Sequence, residues 1–161
     1  ISTHELHRFY SDHQSVPVTT RGLDLSPHML AVAKFRDSDR QIASWHHALA
    51  EQTGFADASF DLVTMQFVIH ELPQQATHEI FTEIYRILKP GGCLGIVDNN
   101  PKSAVIQSLP PVLFTLMKST EPWTDEYYTL DVETLLRSVG FSQVQTQDSD
   151  PRHRTILGFK P

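Results

Sequence analysis

Two segments of the sequence hold side chains whose types and order suit chemistry as well as packing. The first is Gly22-Leu23-Asp24-Leu25-Ser26-Pro27-His28-Met29-Leu30, with an acidic residue where a strand ends and a helix begins. In a doubly wound sheet that position faces the ligand crevice, and a carboxylate there accepts hydrogen bonds from both hydroxyls of a ribose. A second reading stays open, in which Asp24 only caps the following helix, whose dipole favours an anion at that end. The second segment, Gln66-Phe67-Val68-Ile69-His70-Glu71-Leu72-Pro73, leaves an apolar strand at its carboxyl end. Gln66 is a candidate for ligand binding there. His70 could act as a general base, because a neutral imidazole titrates near the working pH. Here too a structural alternative stands, since His70 and Glu71 could merely turn the chain and bond to backbone. His70-Glu71 is followed by Gln74 rather than by the second histidine of the zinc-protease pattern, so no metal centre is expected.

The elements that would position these residues follow from pattern. Ser2 with Glu5 makes a possible capping box, and Leu6, Phe9 and Tyr10 share the face of a short helix ending near Tyr10. Val16 to Leu25 reads as a strand, stopped by Ser26-Pro27, a helix cap followed by the proline that suits a first helical turn. Met29, Leu30, Val32, Ala33 and Phe35 would form the buried stripe of that helix, Arg36 to Arg40 a loop, and Ile42 to Trp45 a short strand. Phe60 to Ile69 is nearly all apolar, as expected of a parallel strand covered on both faces. Ile80, Phe81, Ile84, Ile87 and Leu88 recur at helical spacing until Lys89-Pro90-Gly91-Gly92 stops them. A strand over Cys93 to Val97 follows, then the aromatic stretch Pro101 to Tyr128, a helix over Leu130 to Val139 with Gly140 as its cap, and strands over Phe141 to Gln147 and Thr155 to Phe159. Alternating helices and strands predict a mostly parallel α/β sheet with helices on both faces, and the short final link predicts a closing antiparallel hairpin. His46 and His47, adjacent on a strand, point to opposite faces and do not easily join one site. Trp45 would cover either a ligand or the sheet edge. Asp98-Asn99-Asn100-Pro101 would touch an acceptor or simply form a turn. In the stretch from Ala104 to Tyr128, Leu109, Val112, Leu113, Phe114, Leu116 and Met117, with Trp123, Tyr127 and Tyr128, would form an apolar lid over an acceptor, an ordinary core stripe, or both.

Phe55-Ala56-Asp57-Ala58-Ser59-Phe60-Asp61-Leu62-Val63 and Ile87-Leu88-Lys89-Pro90-Gly91-Gly92, following the acidic strand in this order, resemble the class I methyltransferases that use S-adenosylmethionine, in the style of ubiquinone and menaquinone biosynthesis. The resemblance runs from Ser2 to Phe159 and implies a Rossmann-like fold. It implies that Asp24 holds the cofactor ribose, that Leu25 and Met29 flank the adenine and that Ala50-Glu51 line its edge, with Gln66 and His70 where the methyl donor meets a small-molecule acceptor. Leu49 departs from the family, which often has a polar residue near there. The larger departure is a glycine-rich Gly-x-Gly turn after the first strand, which lets backbone approach the cofactor closely. All seven glycines stand elsewhere, none of them roughly 20 residues ahead of Asp24. The expectation is therefore a single domain over 1–161 with its first strand missing, which folds poorly alone or re-pairs its strands and binds cofactor weakly.

Composition narrows the alternatives. With 13 Lys plus Arg against 19 Asp plus Glu the net charge is -6, so no nucleic-acid footprint is expected. The uncharged run Ser103 to Met117 falls short of the roughly 20 apolar residues of a membrane helix, so no span is expected. A lone cysteine, Cys93, points to a reducing, cytoplasmic setting. Two other functions compete with methyl transfer: a nicotinamide dehydrogenase, disfavoured by the Lys-Pro-Gly-Gly turn and the terminal hairpin, and a non-catalytic remnant of the methyltransferase fold acting as a binding or interaction domain. The apolar, aromatic segment from Ala104 to Tyr128 suits an aromatic or lipophilic small-molecule acceptor.

Overall fold

A computed structural model describes residues 2–15, 17–38 and 42–161. The side chain of Ser2, the first residue of the expected strand at Val16, and Asp39 and Arg40 of the expected loop lie outside the described residues. The chain divides into two compact units, Ile1–Gly54 and Phe55–Pro161.

In the first unit α1 (Ser2–His13) leads to β1 (Thr20–Asp24), α2 (Pro27–Asp37) and β2 (Ala43–His47), and β1 and β2 pair in parallel. Ser26 caps α2, its hydroxyl accepting the Met29 N–H at 3.3 Å, and Pro27 takes the first helical turn. Leu30 is the buried apolar residue of α2. Met29 and Phe35, counted with the buried stripe from periodicity, are 56% and 80% exposed. Helical spacing says which residues share a face, and only a covering element buries that face.

Asp37 organises this unit although nothing in the sequence pattern marked it. It is buried at the end of α2 and accepts hydrogen bonds from the Ile42 and Ala43 N–H groups at 3.1 and 3.2 Å and from the Trp45 indole at 3.2 Å. His4 Nε2 of α1 lies 3.2 Å from Oδ1, the oxygen that also accepts the Ile42 N–H. Trp45 packs against its cross-strand partner Gly22, where a β-carbon would come within 2.3 Å of the indole. Trp45 is thus held by packing and by Asp37. Burial pushes the Asp37 carboxyl up, but the backbone donors, the indole and His4 outweigh it and hold it below the ordinary 3.8. A carboxyl depressed in the folded state stabilises above its unfolded value and loses that contribution as pH falls through the folded one. The unit is therefore expected to open on acidification below pH 3.8. Asp37→Ala should open it at neutral pH, because each buried donor left unpaired costs about 1–3 kcal/mol. Trp45 fluorescence in a Trp123→Phe background follows both transitions.

In the second unit β3 (Phe60–Gln66), a 3₁₀ turn (Ile69–Glu71), α3 (Gln74–Ile87) and β4 (Leu88–Asn99) are followed by α4 (Ala104–Gln107), α5 (Pro111–Thr120), α6 (Thr124–Thr129), α7 (Val132–Val139), β5 (Ser142–Asp148) and β6 (His153–Phe159). The sheet order is β3-β4-β6-β5; β4 runs parallel to β3 and antiparallel to β6, which also opposes β5. Only β6 runs against the other three, so the expected α/β, Rossmann-like arrangement and its closing hairpin are present. Ile80, Phe81, Ile84 and Ile87 of α3 form the core with Leu94, Ile96 and Ile156 from the sheet.

The two family-like segments join here. Asp61 pairs with Lys89 at 2.8 Å, Asp57 pairs with Arg86, and the Ser59 N–H donates to the Ile87 carbonyl at 2.7 Å. Among the described residues β3 pairs with β4 alone, the open edge that a missing first strand implies. Its burial is corrected: Met65 is its one buried residue, less than a strand covered on both faces would show. The core-helix reading of α5 also fails, because none of its residues is buried and Val112 is 78% exposed. No helix among the described residues is long and apolar enough to cross a membrane.

Candidate functional site

In the first unit the parallel register sets the carboxyl ends of β1 and β2 side by side, Asp24 opposite His47. Asp24 Oδ1 accepts the Ser26 N–H at 2.7 Å, an Asx turn that shapes the entry to α2. The helix cap itself is Ser26, so the capping role weighed for Asp24 belongs to its neighbour. Among the described residues Oδ2 of Asp24 takes no hydrogen bond, and the apolar side chains of Leu25 and Met29 beside it are 59% and 56% exposed. The Leu25 carbonyl meets His47 Nε2 at 2.8 Å. Just beyond β2, Ala50 and Glu51 form the tip of a turn closed by the Gln52 N–H on the Leu49 carbonyl at 3.2 Å. This end of the unit thus offers a carboxylate oxygen with spare lone pairs, two uncovered apolar side chains and a tight turn. A nucleoside needs such a set: an acceptor for sugar hydroxyls and apolar cover for a base.

In the second unit Gln66 ends β3, paired with Val97 and exposed. Phe67 then adopts a left-handed backbone, φ 55°, while its N–H still reaches the Val97 carbonyl at 2.9 Å. A left-handed conformation is costly for a bulky residue and clusters at functional turns. It swings the chain off the sheet so that the N–H groups of Val68 and Ile69 point at Asp98 Oδ2, at 3.2 and 3.0 Å. The 3₁₀ turn then delivers His70, whose Nδ1 lies 2.7 Å from Asp98 Oδ1. The outer ring nitrogen, Nε2, lies 3.9 Å from the exposed Glu71. The hydrogen bond to Asp98 pushes the His70 imidazole above its ordinary 6.5; burial opposes this, and the charges of Asp98, Glu121 and Glu71 add to it.

Tyr127 of α6 packs its ring edge-on to His70 at 6.3 Å and donates its hydroxyl to the Asn99 carbonyl. Burial pushes its phenol well above the ordinary 10, so it stays a donor. The Gln74 N–H donates to Glu126 at 2.8 Å, tying α6 to the start of α3. His70, Glu71 and Glu121 each bring one polar atom to within 4.8 Å of the others, which sets two carboxylates beside the ring. Asp24, Leu25, Met29, Ala50 and Glu51 thus gather in the first unit, Gln66 and His70 in the second. Sequence reasoning missed the partnership of Asp98 with His70, weighing Asp98 only as an acceptor contact or turn residue.

Residues 5–96 match the family model described as a methyltransferase domain. The chain is 32% identical over 128 residues to an uncharacterized methyltransferase of Synechocystis sp., covering 79% of this chain and 58% of that one. It is 30% identical over 136 residues to the demethylmenaquinone methyltransferase of Chlorobaculum parvum, covering 78% and 54%. The chain therefore spans little more than half the length of these curated relatives. Among solved structures, Haemonchus contortus phosphoethanolamine N-methyltransferase 2 in complex with S-adenosyl-L-methionine superposes with a TM-score of 0.73 at 20% identity, covering 96% of this chain and 45% of that one. With the family model spanning more than half of its residues and the sheet order above, this chain belongs to the class I S-adenosylmethionine-dependent methyltransferases.

Proposed function

We propose that this chain supplies the nucleoside-binding and base-bearing parts of a cytoplasmic enzyme that methylates a small, aromatic or lipophilic molecule. The observation that carries the reading is the carboxylate of Asp24, which keeps an oxygen free at the carboxyl end of β1. Asp24 would hold the ribose, Leu25, Met29, Ala50 and Glu51 would enclose the adenine, and Gln66, at the end of β3, would be a further cofactor contact. When bound, S-adenosylmethionine supplies an electrophilic methyl group on a sulfonium. His70 would take the proton of the acceptor at Nε2, the ring nitrogen that Asp98 does not occupy. The demethylmenaquinone methyltransferases among the relatives support an aromatic, lipophilic acceptor. Exposed apolar residues on α5 would suit its approach. The 161-residue domain would be one part of a fold completed by a further, glycine-bearing strand.

Backbone amide NMR during a millimolar titration with S-adenosylhomocysteine tests the cofactor assignment even where binding is weak. Amides of Asp24, Leu25, Met29, Ala50 and Glu51 should shift together. Asp24→Ala should weaken binding by about tenfold or more, since a charge-assisted hydrogen bond contributes about 1.5–3 kcal/mol. Shifts confined to other residues, or equal binding by the variant, would sink it.

A further inference from the structure

We propose that Asp98 is the positioning residue of the base, fixing the His70 ring with its proton on Nδ1 so that Nε2 carries the lone pair that takes the acceptor's proton. The inference deepens the reading of His70 above and rests on it. Asp98 is 1% exposed. Its Oδ2 accepts the Val68 and Ile69 N–H groups at 3.2 and 3.0 Å, and its Oδ1 accepts the Asn99 N–H at 2.7 Å. A backbone N–H can only donate, so both oxygens act as acceptors, the role of an ionised carboxylate, which has no proton to offer the ring. His70 Nδ1, at 2.7 Å from Oδ1, is therefore the donor of that hydrogen bond. In a neutral imidazole the second nitrogen is then the acceptor.

The same contacts make the ring a better base. When the proton passes from the acceptor to Nε2, the resulting imidazolium lies against the Asp98 carboxylate in a buried setting, where the pair is only weakly screened. The other charged or titratable groups around the ring are Glu71 on its own turn, Glu121 at the end of α5 and Tyr127 of α6. Arg154 of β6, opposite Asp98 in the strand register, is the cation on that side. The carboxylates favour the protonated ring, and burial works against it. A carboxylate present only to hold the turn would already be satisfied by its three backbone donors. The ring contact is additional to them.

Nitrogen-15 NMR of the histidine-labelled 161-residue chain tests the assignment without any turnover. The wild-type ring should carry its proton on Nδ1 at neutral pH. In Asp98→Asn the side-chain oxygen should stay on the Val68 and Ile69 N–H groups, turning the amide NH₂ toward the ring. Nδ1 must then accept, the proton moves to Nε2, and the His70 pKa falls by about 1 unit or more as the opposite charge disappears. An Nε2-protonated wild-type ring overturns the proposal, and this decides the matter even where Asp98→Asn does not fold. A folded Asp98→Asn chain with unchanged tautomer and pKa also overturns it. An inverted tautomer together with full methyl transfer by a His70→Gln protein would instead remove the base reading, while the hold of Asp98 on the ring stood.

Discussion

Replacing His70 by alanine is expected to slow methyl transfer by about 10²–10⁴-fold, the range a positioned general base contributes, with the affinity for S-adenosylhomocysteine left within about twofold. The separation of the two readouts follows from structure: His70 belongs to the Phe55–Pro161 unit, whereas the proposed ribose and adenine contacts lie in Ile1–Gly54. The loss would not extend to the uncatalysed rate, because alignment of donor and acceptor survives the substitution. His70→Gln is the companion variant, since it keeps a polar group facing the Asp98 carboxylate. The pH profile adds a signed check. The base works as neutral imidazole, so the rate should rise with pH and fall away on acidification through the folded His70 pKa, which lies above 6.5. Stability runs the other way: a raised histidine pKa contributes most below the unfolded value and is lost as pH rises through the folded one. Release of S-adenosylhomocysteine with a lipophilic phenol as acceptor measures the rate. Unchanged turnover in both variants would sink the assignment of His70.

What the sequence revealed and what it hid divide along one physical line. Local chemistry was legible: Ser26-Pro27 caps α2, the spacing of Ile80, Phe81, Ile84 and Ile87 builds the buried face of α3, and Gly140 ends α7. These features depend on residues within one or two turns of each other. The partners of Asp37, Trp45, His70 and Asp98 were not legible, because they depend on strand register and on a turn that its residue type does not announce. Phe67 illustrates this. Its left-handed backbone brings His70 to Asp98 across 28 positions of sequence, yet phenylalanine has no preference for that conformation. Asp24 falls between the two cases. Its place at the end of β1 was readable, while the division of its two oxygens between the Asx turn and a free position needed coordinates. The shallow burial of β3 has the same origin. An apolar run of that length reports what the strand can bury, but not whether another element covers it.

The chain as it stands is expected to bind S-adenosylhomocysteine no better than about 1 mM, and adding a strand that ends in Gly-x-Gly ahead of Ser2 should bring this to about 1 μM, a gain of about 4 kcal/mol. Two observations combine in this expectation. No strand pairs on the second edge of β1 or of β3 among the described residues, although β1 carries the proposed ribose acid and β3 leads to His70. Backbone donors and acceptors along such edges are satisfied by water at best, and a strand laid on them exchanges that water for ladder bonds. The second observation is that no two of the seven glycines stand in a Gly-x-Gly arrangement, so no segment offers the close backbone approach of that turn. Several already have other work, Gly22 under Trp45 and Gly140 against Tyr85 among them. The added strand should therefore act twice, raising the melting temperature by pairing an open edge and raising affinity by bringing backbone N–H groups to the cofactor. A strand with the same apolar pattern but Ala-x-Ala at the turn separates the effects: it should keep most of the melting gain and little of the affinity. Micromolar binding by the 161-residue chain itself, unchanged by either added strand, would show that Asp24 and its neighbours suffice and that the glycine turn is dispensable here.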